Sequence, residues 1–203
     1  MGALPSVKLS SDNSIAILTF ADDPGYPRLS GAVLAGLRNH LRAVHSAGCF
    51  EGVVIAANSR SFATGAMLEE VSALGGVAAF EFARMGQALC REIEGSLLPV
   101  VAAIRGFCLG GGLDLALACH RRVAAYDSSF GCPGAALGLV TGWGGTVRLP
   151  RLVGRAAALQ MLVTAERLPA AQALVLGLVD ELAPLADLIA VAADWARRSA
   201  SSG

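Results

Sequence analysis

Along the 203-residue chain, short unbroken apolar runs alternate with longer stretches in which apolar residues recur every three or four positions. SIAILTF (14–20) and GVVIAAN (52–58) are apolar runs rich in β-branched residues and ended by turn formers, so they predict buried strands. Between them Ser30 is placed to cap a helix whose Val33, Leu34, Leu37, Leu41 and Val44 fall on one face. The unit repeats: Phe82, Met85, Leu89 and Ile93 mark the stripe of a second helix, and LPVVAAI (98–104) reads as a strand buried on both faces. RRVAAYD (121–127) reads as a further strand, after a helix led by glycines. This alternation predicts an α/β fold with a largely parallel sheet and right-handed crossovers. From about Arg155 the pattern becomes mainly helical, including RAAALQMLVTA and LIAVAADWARR. No internal repeat interrupts it, so one domain over 1–203 is expected, with a core to residue 154 and a helical region over 155–203.

Composition narrows the function. With 54% hydrophobic residues the chain suffices for one sizeable core. Sixteen basic residues balance sixteen acidic ones, which leaves no net field for nucleic acid or an anionic membrane surface. Charge or glycine interrupts every apolar run before the roughly 20 residues a membrane-spanning helix requires. MGALPSVKLSSD lacks the basic start and apolar stretch of a secretion signal, so a cytoplasmic location is expected. Cys49, Cys90, Cys108, Cys119 and Cys132 form no CxxC pair and mostly lie in apolar runs, as small buried hydrophobes in a reducing compartment do. No His, Cys and carboxylate spacing suits a metal, and none is expected.

CLGGGLDLALACH (108–120) sets three glycines before a helix with Asp114 in its first turn. Bare amides at a helix start can cradle a phosphate or hold an oxygen that becomes negative during a reaction. The glycines are contiguous, lie past the chain's midpoint and precede no Walker lysine, which disfavours the phosphate. No serine stands in a GxSxG frame either. An oxyanion hole needs a second donor, and RSFATGAMLEE (60–70), leaving strand GVVIAAN through Gly65, is positioned to supply it. Taken by itself, the pattern favours Asp114 as a first-turn acid that complements the helix dipole.

Together these loops resemble the crotonase superfamily, the enoyl-CoA hydratase/isomerase family. SFATGAMLEE is similar to its first oxyanion loop, IRGFCLGGGLDLALACHRRVAA to its second, and SSFGCPGAALGLVTGWGGTVRLPRLVGRAAALQMLVTAERLPAAQALVLGLVDEL to the segment that follows. The resemblance implies a crotonase-like spiral of ββα units, acyl-CoA thioesters as ligands with coenzyme A carried by the substrate and no separate cofactor, and homotrimers or hexamers. By position, the amides of Ala66 and Gly111 bind the thioester oxygen as it becomes an enolate, each donor contributing roughly 3 to 4 kcal/mol. Asp114 takes the first catalytic acid position. Ala63, Gly65, Gly110 and Gly134 belong to the substrate-contacting loops, and Met67, Leu68, Val140 and Trp143 are expected along the acyl channel.

The chain departs from the pattern at the second acid. In FGCPGAALG, Gly134 replaces the usual glutamate of FGxPE. Cys132, Glu69, Glu70 and His120 are the nearby substitutes, each with a plainer role as an inert thiol, as solvated or capping acids, or as a structural histidine. Met67 stands where an aspartate often follows GA, DDPGYPRLSG lacks the usual asparagine-rich loop that helps receive CoA, and the helical end is short. The expectation is an acyl-CoA lyase or isomerase with Asp114 as acid/base. The alternatives are a decarboxylase or thioester hydrolase using the same hole, and a thioester-binding protein weakened in chemistry.

Overall fold

The computed structural model describes residues 6–21, 26–57 and 60–200. The chain opens with β1 (Ser6–Asp12) and β2 (Ile15–Ala21), an antiparallel pair that pivots through Asn13 at φ 52°, a conformation asparagine tolerates. β1 lies outside the sequence expectation because SVKLSSD carries little apolar alternation; it is the edge strand, with Val7 buried and Leu9 exposed. The predicted runs form β3 (Gly52–Ala57), β4 (Val100–Ile104) and β6 (Arg121–Ala125). With β9 (Glu181–Ala183) they extend the sheet in the order β1-β2-β3-β4-β6-β9, and every pairing after the first is parallel.

Both faces of this sheet are covered, which is why its strands are apolar throughout. On one face lie α1 (Gly31–Ala47) and α3 (Gly76–Glu94). Ser30 caps α1 by accepting from the Val33 N–H, and the five residues of its predicted stripe are all buried against alternate strand residues such as Val53 and Ile55. In α3 Leu89 and Ile93 are buried as predicted, but Met85 is 38% exposed and the neighbouring Gly86 faces inward instead. The other face packs Ile15, Val54, Ala56, Val101 and Val123 against α8 (Leu188–Ala200). Small residues of α8 allow the close approach: a Cβ added to Gly52 would stand 2.8 Å from that of Ala196.

A second, three-stranded sheet crosses the chain as β5 (Phe107–Leu109), β7 (Ser129–Gly131) and β8 (Leu168–Pro169). In chain order β4, β5 and α4 (Gly111–Ala118) make one strand–strand–helix unit, the element that sets the candidate site. The region from residue 155 is helical in α6 (Arg155–Val163), α7 (Ala170–Val175) and α8, yet it also supplies β8 and β9. Strands of two and three residues are too short to show a period.

β9 is held by a buried guanidinium. Arg122, 3% exposed, donates through Nε to the Leu178 carbonyl at 2.7 Å, through Nη1 to the Cys119 carbonyl at 2.8 Å and through Nη2 to Asp180 at 3.1 Å. Removing it strands two buried carbonyls, while Asp180 keeps the bonds it accepts from the Arg121 guanidinium and the Arg122 backbone N–H. Arg122→Ala is expected to lower unfolding free energy by about 2–4 kcal/mol in urea denaturation, whereas a loss under about 1 kcal/mol would show that β9 is held by packing alone.

Candidate active site

The site forms where two strand-to-helix connections meet. After β3 the chain runs along β5: Phe62 N–H donates to the Arg105 carbonyl, Ala63 N–H to the Phe107 carbonyl at 3.2 Å, and Leu109 N–H returns a bond to the Ala63 carbonyl at 2.9 Å. Ala63 and Cys108 thus form a parallel bridge. Contact this close excludes side chains. A Cβ on Gly112 would lie 2.8 Å from the Cβ of Ala63, and Gly65 and Gly110 sit at φ 99° and 52°, which favours glycine at both. The first loop is also tied to the chain before α1, through Thr64 N–H to the Pro27 carbonyl and Leu29 N–H to the Gly65 carbonyl.

Beyond this junction the loops diverge around a cavity of about 370 Å³. Ala66 lines it from the first loop and Gly111, the first residue of α4, from the second. A Cβ on Gly65 would stand 3.4 Å from the Gly111 nitrogen, so the two loops touch beside that amide. Among the described residues, neither the Ala66 nor the Gly111 N–H donates to any protein acceptor. Leu68, Gly65, Gly110, Gly134, Val140 and Trp143 line the same cavity. Ala63 and Met67 do not: Ala63 is fully buried in the loop junction, and Met67 precedes α2 (Leu68–Ser72) as its N-cap residue.

Asp114 reaches the cavity from the first turn of α4 and is 1% exposed. Thr141 Oγ1 and the Trp143 N–H, the latter at 2.9 Å, donate to its Oδ2, and the Gly145 N–H bonds the same carboxylate. These donors open α5 (Gly145–Val153), so the carboxylate also faces the positive end of that helix. Burial raises the Asp114 pKa above its ordinary value and outweighs the opposing bonds from Thr141 and Trp143 and the charge of Arg148. Sequence reasoning missed Thr141 and Gly145, although the glycine-rich TGWGGT run before a helix is the same type of signal that marked Gly110 and Gly111.

Of the four possible replacements for a second acid, three are placed elsewhere. Glu69 pairs with Arg28 at 3.4 Å on the surface, and Glu70 accepts from the Gly31 N–H at the start of α1. His120 Nδ1 accepts from the Val100 N–H on β4, and burial lowers its pKa. Cys132 does line the cavity, but burial and the charge of Asp114 push its thiol up to about 11. Cys90, Cys108 and Cys119 are buried as expected, while Cys49 is exposed. At Gly134 a Cβ would press on Leu139 at 3.3 Å. Among the described residues no group of three or more His, Cys, Asp and Glu gathers as a metal site, and no helix is long and apolar enough to cross a membrane.

The model of the enoyl-CoA hydratase/isomerase family matches residues 10–203. An enoyl-CoA hydratase structure from Bacillus anthracis superimposes with a TM-score of 0.90 at 29% identity, over 98% of this chain and 77% of that one. One from Polaromonas sp. JS666 gives 0.90 at 27%, over 96% and 77%. Pseudomonas aeruginosa DspI gives 0.87 at 29%, over 95% and 74%.

The electrostatics of Asp114 make a thermodynamic prediction independent of any ligand. A carboxyl whose pKa is raised on folding binds its proton more tightly in the native state, so its contribution is present below the unfolded value of about 3.9 and is lost as pH rises through the native one. The parent protein is therefore expected to lose stability relative to Asp114→Asn as pH is raised upward from about 4, measured by urea denaturation at each pH. A stability difference between the two that stays flat across that range would contradict the raised pKa.

Proposed function

The chain belongs to the enoyl-CoA hydratase/isomerase family, and from that premise we propose that it acts on acyl-CoA thioesters through an enolate held by the Ala66 and Gly111 amides. The observation that carries the reading is the meeting of two amides without internal partners and one buried carboxyl in a single cavity. A thioester's α-proton is only weakly acidic because the charge left behind must settle on the carbonyl oxygen. Two fixed N–H groups in a poorly solvated site stabilise that charge without the reorganisation water would need. Asp114 is the group that moves the proton, and its raised pKa brings it nearer the pH at which a carboxyl both takes and returns one efficiently.

The cavity favours one reaction within this class. Besides Asp114, the lining side chains with N, O or S atoms are Thr64, Cys132, Thr141 and Trp143, so a second carboxylate to activate water is absent among the described residues. Double-bond isomerisation needs only one: Asp114 takes a proton from C2 of a β,γ-enoyl thioester, the enolate delocalises over C4, and the proton returns there. The double bond then lies between C2 and C3. A second reading, thioester binding with weak chemistry, draws on the engagement of Asp114 by Thr141, Trp143 and Gly145, which is how a purely structural helix-capping acid is held.

Incubation of the purified chain with 3-octenoyl-CoA, with conjugation of the double bond followed by absorbance, separates the two. Isomerisation is expected, and binding without conjugation would favour the second reading. Asp114→Asn is expected to lower kcat by roughly 10²–10⁴-fold with KM little changed. The bond from Thr141 holds the Asp114 pKa down, so Thr141→Val is expected to shift the pH profile of kcat to higher pH. An unmoved profile would remove Asp114 from the rate-controlling step.

A further inference from the structure

The glycines that surround Trp143 are spaced for its ring. A Cβ on Gly111 would fall 2.5 Å from Cζ3 and 2.9 Å from Cε3 of the indole, and one on Gly86 of α3 would overlap its Cε2, Nε1 and Cδ1 atoms. Phe82 meets the same ring edge-on at 5.6 Å. The backbone of Trp143 is fixed as well: its N–H donates to Asp114 Oδ2, and its carbonyl accepts from Arg148 Nη1 at 3.0 Å, while Arg148 Nη2 is held by Glu94 at 2.8 Å. With 5% exposure, the residue presents little surface to a ligand although it borders the cavity.

We infer that Trp143 is a positioning residue that fixes the Gly111 amide through its ring and the Asp114 carboxylate through its N–H, holding both halves of the site in one frame. The inference rests on the enolate reading above. α4 begins with Gly111 and Gly112, which have no side chains to anchor the first turn and considerable backbone freedom. An amide contributes to catalysis only so far as it is already aimed, so a first turn without side chains of its own has to be braced from outside. A flat, rigid indole wedged between α3 and Gly111 does this, and the lack of a Cβ at both glycines is the condition for it to fit. Because the same residue holds Asp114, a tilt of the ring moves donor and acid together.

The test compares the parent chain, Trp143→Ala, Trp143→Phe, Gly111→Ala and the Gly111→Ala/Trp143→Ala double variant, with 3-octenoyl-CoA. Trp143→Ala is expected to lower kcat roughly 10- to 100-fold at nearly unchanged KM, and Trp143→Phe to recover most of the loss. Gly111 lacks a positive φ, and the three atoms nearest to an alanine Cβ there all belong to the ring. Gly111→Ala is accordingly expected to cost more thermal stability in the parent than in the Trp143→Ala background. A Trp143→Ala kcat within about twofold of the parent, with only KM raised, would reduce Trp143 to a cavity wall. Should Trp143→Ala not fold, Trp143→Leu, which lacks the flat ring, takes its place under the same criteria. No turnover by the parent would overturn the activity reading itself. The melting comparison then decides the brace alone, and additive losses in the double variant would overturn it.

Discussion

The site depends on backbone lying against backbone. Ala63 exchanges hydrogen bonds with Phe107 and Leu109, and this one parallel bridge joins a loop leaving β3 to a strand leaving β4. Each connection alone is an ordinary loop. Joined, they carry the amides of Ala66 and Gly111 to one cavity, and the junction closes only because Gly112 has no Cβ to meet Ala63 and because Gly65 and Gly110 accept positive φ. The GGG run is therefore a packing requirement before it is a chemical one, and the exposed amides are its result.

The carboxyl that shares this cavity is held by opposing forces. Burial disfavours its charged form, while the Thr141 hydroxyl, the Trp143 and Gly145 N–H groups and the nearby Arg148 charge favour it. Burial prevails. A carboxylate on α4 that accepts from the residues leading into α5 ties the geometry of the two helices together, and Trp143, in contact with Gly111 and bonded to Asp114, stands at that tie.

Much of this was legible in the sequence, for identifiable reasons. Strands β2, β3, β4 and β6 are unbroken apolar runs because both faces of the sheet are covered, and α1 shows its stripe and its Ser30 cap. The loops with Ala66, Gly111 and Asp114 were readable from glycine spacing and the family resemblance. Short strands were not: β5, β7, β8 and β9 hold two or three residues each, and edge strand β1 is largely polar. Met85 was read as core because periodicity cannot show that an indole from 57 residues or so further on claims the space at Gly86 instead. The partners of Asp114 were missed for the same reason, since Thr141 and Gly145 are distant in sequence and meet it only through the packing of α5 on α4.

The most direct measurement of the central claim is the carbonyl stretch of a bound acyl-CoA, isolated by difference infrared spectroscopy with a thioester labelled with ¹³C at the carbonyl. Two amides aimed at the oxygen polarise the C=O bond, so the band is expected to move to lower wavenumber on binding than it shows in water. A band that stays at its aqueous position, or moves upward as in an apolar medium, would contradict the account.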